Sequence, residues 1–303
     1  MNSTSIGVAV IGHINQAAHL EAIEETEGLH LTGVAGDPEP HHPPLQSRRF
    51  STGEEAVADA DSAIVVLCTP PQTTRYLAEI ASSAGKRVVA EMPIASSYRD
   101  TRDLVSHCTG AGVPIAGVAD LLYSSTGRRA ARAVAESIGP PLYVECHISV
   151  PRATGEGGSG VLASAGIPVI TLIGELFGTV DRIYARSRAL AASRPAEDVA
   201  IAQIQFYDGV EGLFSVNGLA DDERIDLHFH GACGSVRFEE NRSRFPDGLQ
   251  AQYRELASNT SHGAAEIWAN RIRGTQLLLD WINHAARQGC ELSRKEVSRA
   301  IGG

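Results

Sequence analysis

The feature that most constrains this chain is a series of short apolar runs separated by stretches of helical spacing, beginning at residue 6. Residues 6–11 are apolar without interruption and end at Gly12. Residues 16–27 have helical spacing, with Ala17, Leu20, Ala22 and Ile23 available to one side, and residues 29–35 give a second strand. A strand that is apolar throughout is buried on both faces, which a parallel sheet with helices on each side provides. The alternation continues with strands at 62–68, 87–90 and 113–119 and helices at 73–84 and 100–109. It predicts a doubly wound parallel sheet.

Strand, turn, helix and strand in this order make the unit that binds dinucleotides when its turn reads Gly-x-Gly-x-x-Gly, because the backbone must turn tightly and approach a pyrophosphate. Here the turn is Gly12-His-Ile-Asn-Gln-Ala17. The first glycine is kept and Ala17 is tolerable at the third place, but Ile14 puts a branched side chain where phosphate oxygens approach. The turn is therefore either an altered, weakened nucleotide site or a plain strand-to-helix connection. Gly12, Ile14 and Asn15 are its candidate cofactor-binding residues. Asp37, after the second strand, is placed either to accept ribose hydroxyls or to open a turn before Pro38.

Ligands bind at the carboxyl ends of the strands in such a sheet. Two segments stand there: Cys68-Thr-Pro-Pro-Gln72 and Glu91-Met-Pro-Ile-Ala95, with a helix expected to start near Ser96 or Ser97. Thr69, Pro70, Glu91 and Pro93 join the candidate cofactor-binding set, and Glu91 is also a candidate catalytic group. Asp120 and Tyr123 follow the strand at 113–119, at its carboxyl end, and are candidate acid–base or hydrogen-bonding groups. The structural alternative for Asp120 is the cap of a helix over 124–137.

These segments resemble the glucose–fructose oxidoreductase / inositol dehydrogenase / rhizopine catabolism (Gfo/Idh/MocA) family. The resemblance spans nearly the whole chain and departs from the family at its functional positions. Members usually read Glu-Lys-Pro where this chain has Glu91-Met92-Pro93, with the lysine serving in catalysis. They usually read Gly-x-Leu-x-Asp-x-Gly-x-His-x-x-Asp where this chain places Gly160, Leu162, Ser164, Gly166, Pro168 and Thr171. Four groups that relatives use near the substrate are thus replaced by Met92, Ser164, Pro168 and Thr171. Pro168 also lacks an N–H and fixes φ, so the helix is kinked there or begins near it.

The resemblance implies a Rossmann-like domain over 1–120 and an α/β domain over 121–303 with an open, mainly antiparallel sheet, one face of which often mediates dimerisation in relatives. Tyr143, Glu145 and His147 alternate with Val144, Cys146 and Ile148 along its first strand. Asp226, His228 and His230 share a face of a later strand, but no third ligand is identified in the sequence, so no metal site is assigned. The functional reading is an atypical oxidoreductase homologue, a reductase of a non-sugar small molecule using NAD or NADP, with cofactor binding weakened or lost. The alternatives are a non-redox enzyme (lyase, cyclase or isomerase) in the old cleft, and an inactive ligand-binding or scaffold protein.

Composition narrows the partners. A net charge of −10 with no basic cluster excludes nucleic-acid binding through a broad electrostatic footprint. No apolar run approaches the ~20 residues of a membrane span. The five cysteines are dispersed without a Cys-x-x-Cys pair, which predicts reduced thiols. Residues 1–5 have neither the basic start nor the apolar core of a signal peptide, so the expected location is cytoplasmic, as a homodimer or higher homo-oligomer with a small-molecule ligand.

Overall fold

The computed structural model describes residues 5–36, 48–151, 160–190, 196–242, 244–259 and 261–301. The chain forms two units: Met1–Tyr123 with Pro246–Arg273, and Ser124–Phe245 with Gly274–Gly303.

In the first unit the strands are β1 (Ile6–Gly12), β2 (Leu29–Ala35), β3 (Arg48–Phe50), β4 (Ile64–Cys68), β5 (Arg87–Ala90) and β6 (Ile115–Gly117). All pairs are parallel, in the order β3-β2-β1-β4-β5-β6. This is the dinucleotide-binding order, with its switch point between β1 and β4. The helices are α1 (Gln16–Glu24), α2 (Gly53–Ala58), α3 (Pro71–Ser83), α4 (Tyr98–Gly110) and the single turn α5 (Asp120–Tyr123). Ser97 caps α4 by accepting from the Asp100 amide.

Strand alternation divides the apolar residues between two cores. Ala9, Ile11, Val65 and Leu67 face α2, α3 and α4, while Val8, Val10, Ile64 and Val66 face α1. The second face would have α1 alone to cover it. Residues of Pro246–Arg273 complete the cover: Leu249, Tyr253, Leu256 and Trp268 lie in that core. Full burial of such side chains is worth about 1.5–3 kcal/mol each. A boundary at residue 120 with all of 121–303 assigned to the second domain is corrected accordingly. The amphipathic pattern of a helix says that it covers a sheet, but not which one.

The second unit contains α6 (Ser125–Glu136), β7 (Pro141–Pro151), a π-helical turn (Leu162–Gly166), α7 (Ile167–Phe177), β8 (Val180–Arg188), β9 (Val199–Phe206), β10 (Glu211–Ala220), β11 (Arg224–Gly231), β12 (Gly234–Glu240) and β13 (Leu292–Ser293). The helices α8 (Pro246–Ser258), α9 (His262–Gln288) and α10 (Arg294–Ile301) complete the chain. Its seven strands run β12-β11-β7-β10-β9-β8-β13, and only β7 with β10 is parallel. Val144, Cys146, Ile148, Leu227 and Phe229 are buried on one face. Tyr143, Glu145, His228 and His230 alternate with them and are half-buried. No helix among the described residues is long and apolar enough to cross a membrane.

Candidate functional site

The turn after β1 is built on Gly12, whose φ is +100. A Cβ there would stand 2.1 Å from the Cys68 carbonyl oxygen, so the close approach of β1 to the end of β4 requires glycine. The Ile14 amide donates to that same carbonyl at 2.9 Å, and the Gln16 side-chain amide donates to the Gly12 carbonyl. Ile14 is half-buried within the turn. Asn15 occupies the left-handed region, φ 54 and ψ 23, at the cap of α1 without a side-chain capping bond. Its Nδ2 is buried and has no hydrogen-bond partner among the described residues. A buried amide N–H2 in that condition costs free energy unless an acceptor meets it, and here it stands at a helix N-terminus, where the backbone favours anions. Glycine backbone, helix terminus and unpartnered donor together fit a dinucleotide.

Behind the turn lies a buried polar cluster that the sequence alone does not reveal. His19 on α1 is 0% exposed, its Nε2 2.9 Å from Glu91 Oε1 and its Nδ1 2.7 Å from the Tyr253 hydroxyl. Tyr253 is also 0% exposed, and Glu91 8%. Burial disfavours the imidazolium, but Cys68, Tyr253 and Glu91 around the ring outweigh that cost and hold its pKa well above the ordinary histidine value. The Tyr253 phenol is pushed up to about 12, chiefly by burial. Glu91 thus stands at the end of β5, as the sequence suggests, with its carboxylate engaged by a histidine 72 residues earlier. A histidine on the apolar face of α1, among Leu20 and Ile23, was the available signal.

Met92 follows, joined to Pro93 by a cis peptide bond. Its side chain packs on the core beneath β5 and β6. A methyl group on Gly117 would lie 2.6 Å from Met92 Sδ and 3.1 Å from Ile272 Cγ1. Position 92 is therefore filled by an apolar plug. Thr69 is buried, its hydroxyl 2.8 Å from that of Thr74, while Pro70 is exposed at the cap of α3. Asp37 lies outside the described residues. Arg49, absent from the sequence reading, donates to the Gly36 carbonyl at 3.2 Å at the carboxyl end of β2.

Asp120 is 5% exposed and begins α5 just after β6. Gln252 clamps the approach to it, donating to the Gly117 carbonyl at 2.8 Å and accepting from the Ala119 amide at 3.0 Å. The cap of α6 is Ser124, which accepts from the Gly127 amide, so Asp120 is not the cap. The Tyr123 hydroxyl accepts from Arg271 Nη1 at 2.9 Å and donates to Glu255 Oε1 at 3.2 Å; the Trp268 indole donates to the same oxygen at 3.1 Å. Burial raises the Tyr123 pKa, Arg271 opposes the rise and Glu255 adds to it.

In the second unit, α7 begins at Ile167 with Pro168 in its first turn, directly after the π-helical turn. Ser164 donates to the Gly160 carbonyl at 3.1 Å and Thr171 to the Ile167 carbonyl at 2.9 Å. The Ser164 hydroxyl is used within its own segment, and the Thr171 hydroxyl also accepts from that of Thr275 at 3.2 Å.

A six-stranded parallel sheet in dinucleotide-binding order and a seven-stranded mixed sheet define a two-unit α/β class, and the sequence matches accordingly. Residues 6–118 match the profile of the oxidoreductase family with an NAD-binding Rossmann fold, and residues 128–237 match that of the GFO/IDH/MocA C-terminal domain. The chain belongs to the Gfo/Idh/MocA oxidoreductase family. It is 24% identical over 262 residues to the uncharacterized oxidoreductase YhhX of Escherichia coli (strain K12), covering 84% of this chain and 72% of that one. It is 24% identical over 264 residues to the D-apiose dehydrogenase of Rhizobium rhizogenes (strain K84), covering 79% and 75%. Among solved structures, the WlbA dehydrogenase from Bordetella pertussis in complex with NADH and UDP-GlcNAcA superposes with a TM-score of 0.83 at 20% identity, covering 97% of this chain and 99% of that one. At that identity the likeness shows the fold.

Proposed function

We propose that this chain is a nicotinamide-dinucleotide-binding reductase or dehydrogenase of a small molecule other than a sugar, in which proton transfer is not carried at position 92. The observation that carries this reading is Met92 packed over Gly117 and Ile272, where relatives place a lysine. A thioether exchanges no proton, so a group elsewhere must do so. Dinucleotide binding is supported by the family's Rossmann profile over residues 6–118 and by the Gly12 turn with its unpartnered Asn15 amide.

When bound, the nicotinamide ring supplies or accepts hydride. The chain's own residues supply the rest. Gly12 would let the backbone approach the pyrophosphate, the unpartnered Asn15 Nδ2 would be a donor for it, and Ile14 would limit how closely it could sit. Thr69, Pro70, Glu91 and Pro93 form the ends of β4 and β5 beside the turn, with His19 fixing the Glu91 carboxylate. Asp37 and Arg49 would recognise the adenosine ribose, the acid favouring a free 2′-hydroxyl and the arginine a 2′-phosphate. Asp120 exchanges the substrate proton, and Tyr123, held by Arg271 and Glu255, contributes a hydrogen bond.

One second reading has an observation in its favour, a dinucleotide-binding protein without redox turnover. The Ser164 hydroxyl is spent on its own helical segment and the Thr171 hydroxyl on Ile167 and Thr275, and Pro168 has no donor to give.

The test is oxidation of NADH and NADPH against a panel of small imines, ketones and keto acids, with Met92→Leu, Asp120→Asn and Tyr123→Phe beside the parent. Met92→Leu is expected to keep parental turnover. Asp120→Asn is expected to lose ~10²–10⁴-fold, the range of a general acid–base group. Loss in Met92→Leu with the other two unaffected would contradict the assignment, and absence of turnover on every substrate would favour the second reading.

A further inference from the structure

The strand His228-Phe229-His230 puts two imidazoles on one face of the second unit's sheet, two residues apart, and its register with β7 sets a carboxylate against them. Glu145 is paired with His228, and Tyr143 with His230, across the β7–β11 ladder. Glu145 Oε2 lies 3.6 Å from His228 Nδ1 and 3.8 Å from His230 Nε2. The two rings are 3.8 Å apart between centroids, and the three donor atoms all lie within 4.8 Å of one another.

Zinc held tetrahedrally at about 2.0–2.2 Å from nitrogen and oxygen has ligand-to-ligand edges of ~3.4 Å. The two distances from Glu145 Oε2, 3.6 and 3.8 Å, are close to that edge, and side-chain rotation would bring the set, now within 4.8 Å, to it. His230 Nε2 is buried and has no hydrogen-bond partner among the described residues, so one imidazole nitrogen faces the cluster unspent. The Tyr143 hydroxyl donates to Glu145 Oε1 at 3.3 Å, which fixes the carboxylate while leaving Oε2 toward the histidines. Such an outer hydrogen bond orients a metal-binding carboxylate. Arg237, paired with His228 from β12, is the cation nearest in register. It is engaged by Asp226 on β11 and by Glu239 at 3.0 Å, so its charge is balanced locally.

We propose that Glu145, His228 and His230 form a binding site for a zinc-class divalent cation on the sheet face of the second unit, apart from the dinucleotide-type turn. Two imidazoles and one carboxylate suit Zn²⁺ and its late first-row neighbours, whereas Mg²⁺ and Ca²⁺ select oxygen donors. The three ligands come from two adjacent strands held by a continuous ladder, so the site is formed before the cation arrives. The fourth position is left to water or an anionic ligand.

The experiment uses the full chain, stripped with EDTA and desalted, then titrated with ZnCl₂ against a chromophoric chelator. One Zn²⁺ per chain with a Kd at or below about 10 μM is expected. Co²⁺ should give d–d bands without thiolate charge transfer. His230→Ala should weaken binding at least ~10-fold. Glu145→Gln, which keeps the side chain's shape, should do the same without altering the circular-dichroism melt of the stripped protein. The double variant Cys233→Ser/Cys290→Ser, which removes the exposed thiols, should bind as the parent does. The proposal is overturned if no stoichiometric binding is seen, if binding survives both His230→Ala and Glu145→Gln, or if it disappears with the two thiols.

Discussion

Replacing Glu91 by glutamine isolates the buried cluster of His19, Glu91 and Tyr253. The substitution keeps the side chain's size and its ability to accept from His19 Nε2 at 2.9 Å, and removes only the charge. The raised His19 pKa favours its imidazolium form beside the Glu91 carboxylate, and the ring is fully buried. Removing one partner of a buried ion pair leaves the other charge uncompensated and costs about 3–5 kcal/mol. For a unit of this size that is a fall in Tm of roughly 6–20 °C. The pH dependence has a definite sign. A group whose folded pKa is raised stabilises the fold fully below its unfolded pKa, ~6.5 for histidine, and loses that contribution as pH climbs through the raised value. The parent should therefore lose stability as pH rises above about 6.5, and Glu91→Gln should show a shallower decline. Tyr253→Phe, which strands His19 Nδ1, should cost about 1–3 kcal/mol, the ordinary toll of a buried polar group left unmade. Scanning calorimetry across pH reads all three. If Glu91→Gln melts within about 1 °C of the parent with the same pH profile, His19 is neutral and the charge argument fails.

The turn after β1 gives a contrasting pair. Ile14→Gly should tighten NADH and NADPH by about tenfold, or 1.4 kcal/mol, and Asn15→Gly, which keeps the left-handed backbone but removes the amide, should weaken both by a similar factor; no change in either, by fluorescence titration, removes the turn from cofactor binding. Met92→Lys should gain no sugar dehydrogenase activity, because Ser164, Pro168 and Thr171 stand where relatives carry proton-exchanging groups, and it should lower Tm by placing a desolvated amine on the Gly117 and Ile272 core; turnover of a sugar by this variant would refute the first half. Light scattering should give a dimer, since Ile201 (47% exposed) shares the outward face of β8, β9 and β10 with half-buried Tyr184 and Leu213; a monomer at micromolar concentration would reject it.

The parallel sheet was legible because its central strands β1, β4 and β5 are buried on both sides and so read as apolar runs, and Met92 was legible because its neighbours Glu91 and Pro93 keep their places. What could not be read depends on contacts distant in sequence. Tyr253 meets His19 across 234 residues, and the return of Leu249, Tyr253 and Trp268 to the first unit follows from one sheet face being under-covered by α1. The small elements β3 and α2 have too few residues for periodicity to show, although Thr52 capping α2 is a local signal in hindsight. Register is the other hidden quantity. His228 and His230 were visible as a same-face pair, but only the β7–β11 pairing names Glu145 as their neighbour.

The most direct test of the central claim is titration of the purified chain with NADH and with NADPH, read by nicotinamide fluorescence and by melting shift. The account predicts saturable 1:1 binding of at least one of them with a Kd below about 1 mM, and a rise in Tm at saturation. A Kd weaker than about 1 mM for both, worth under about 4.1 kcal/mol, would contradict it.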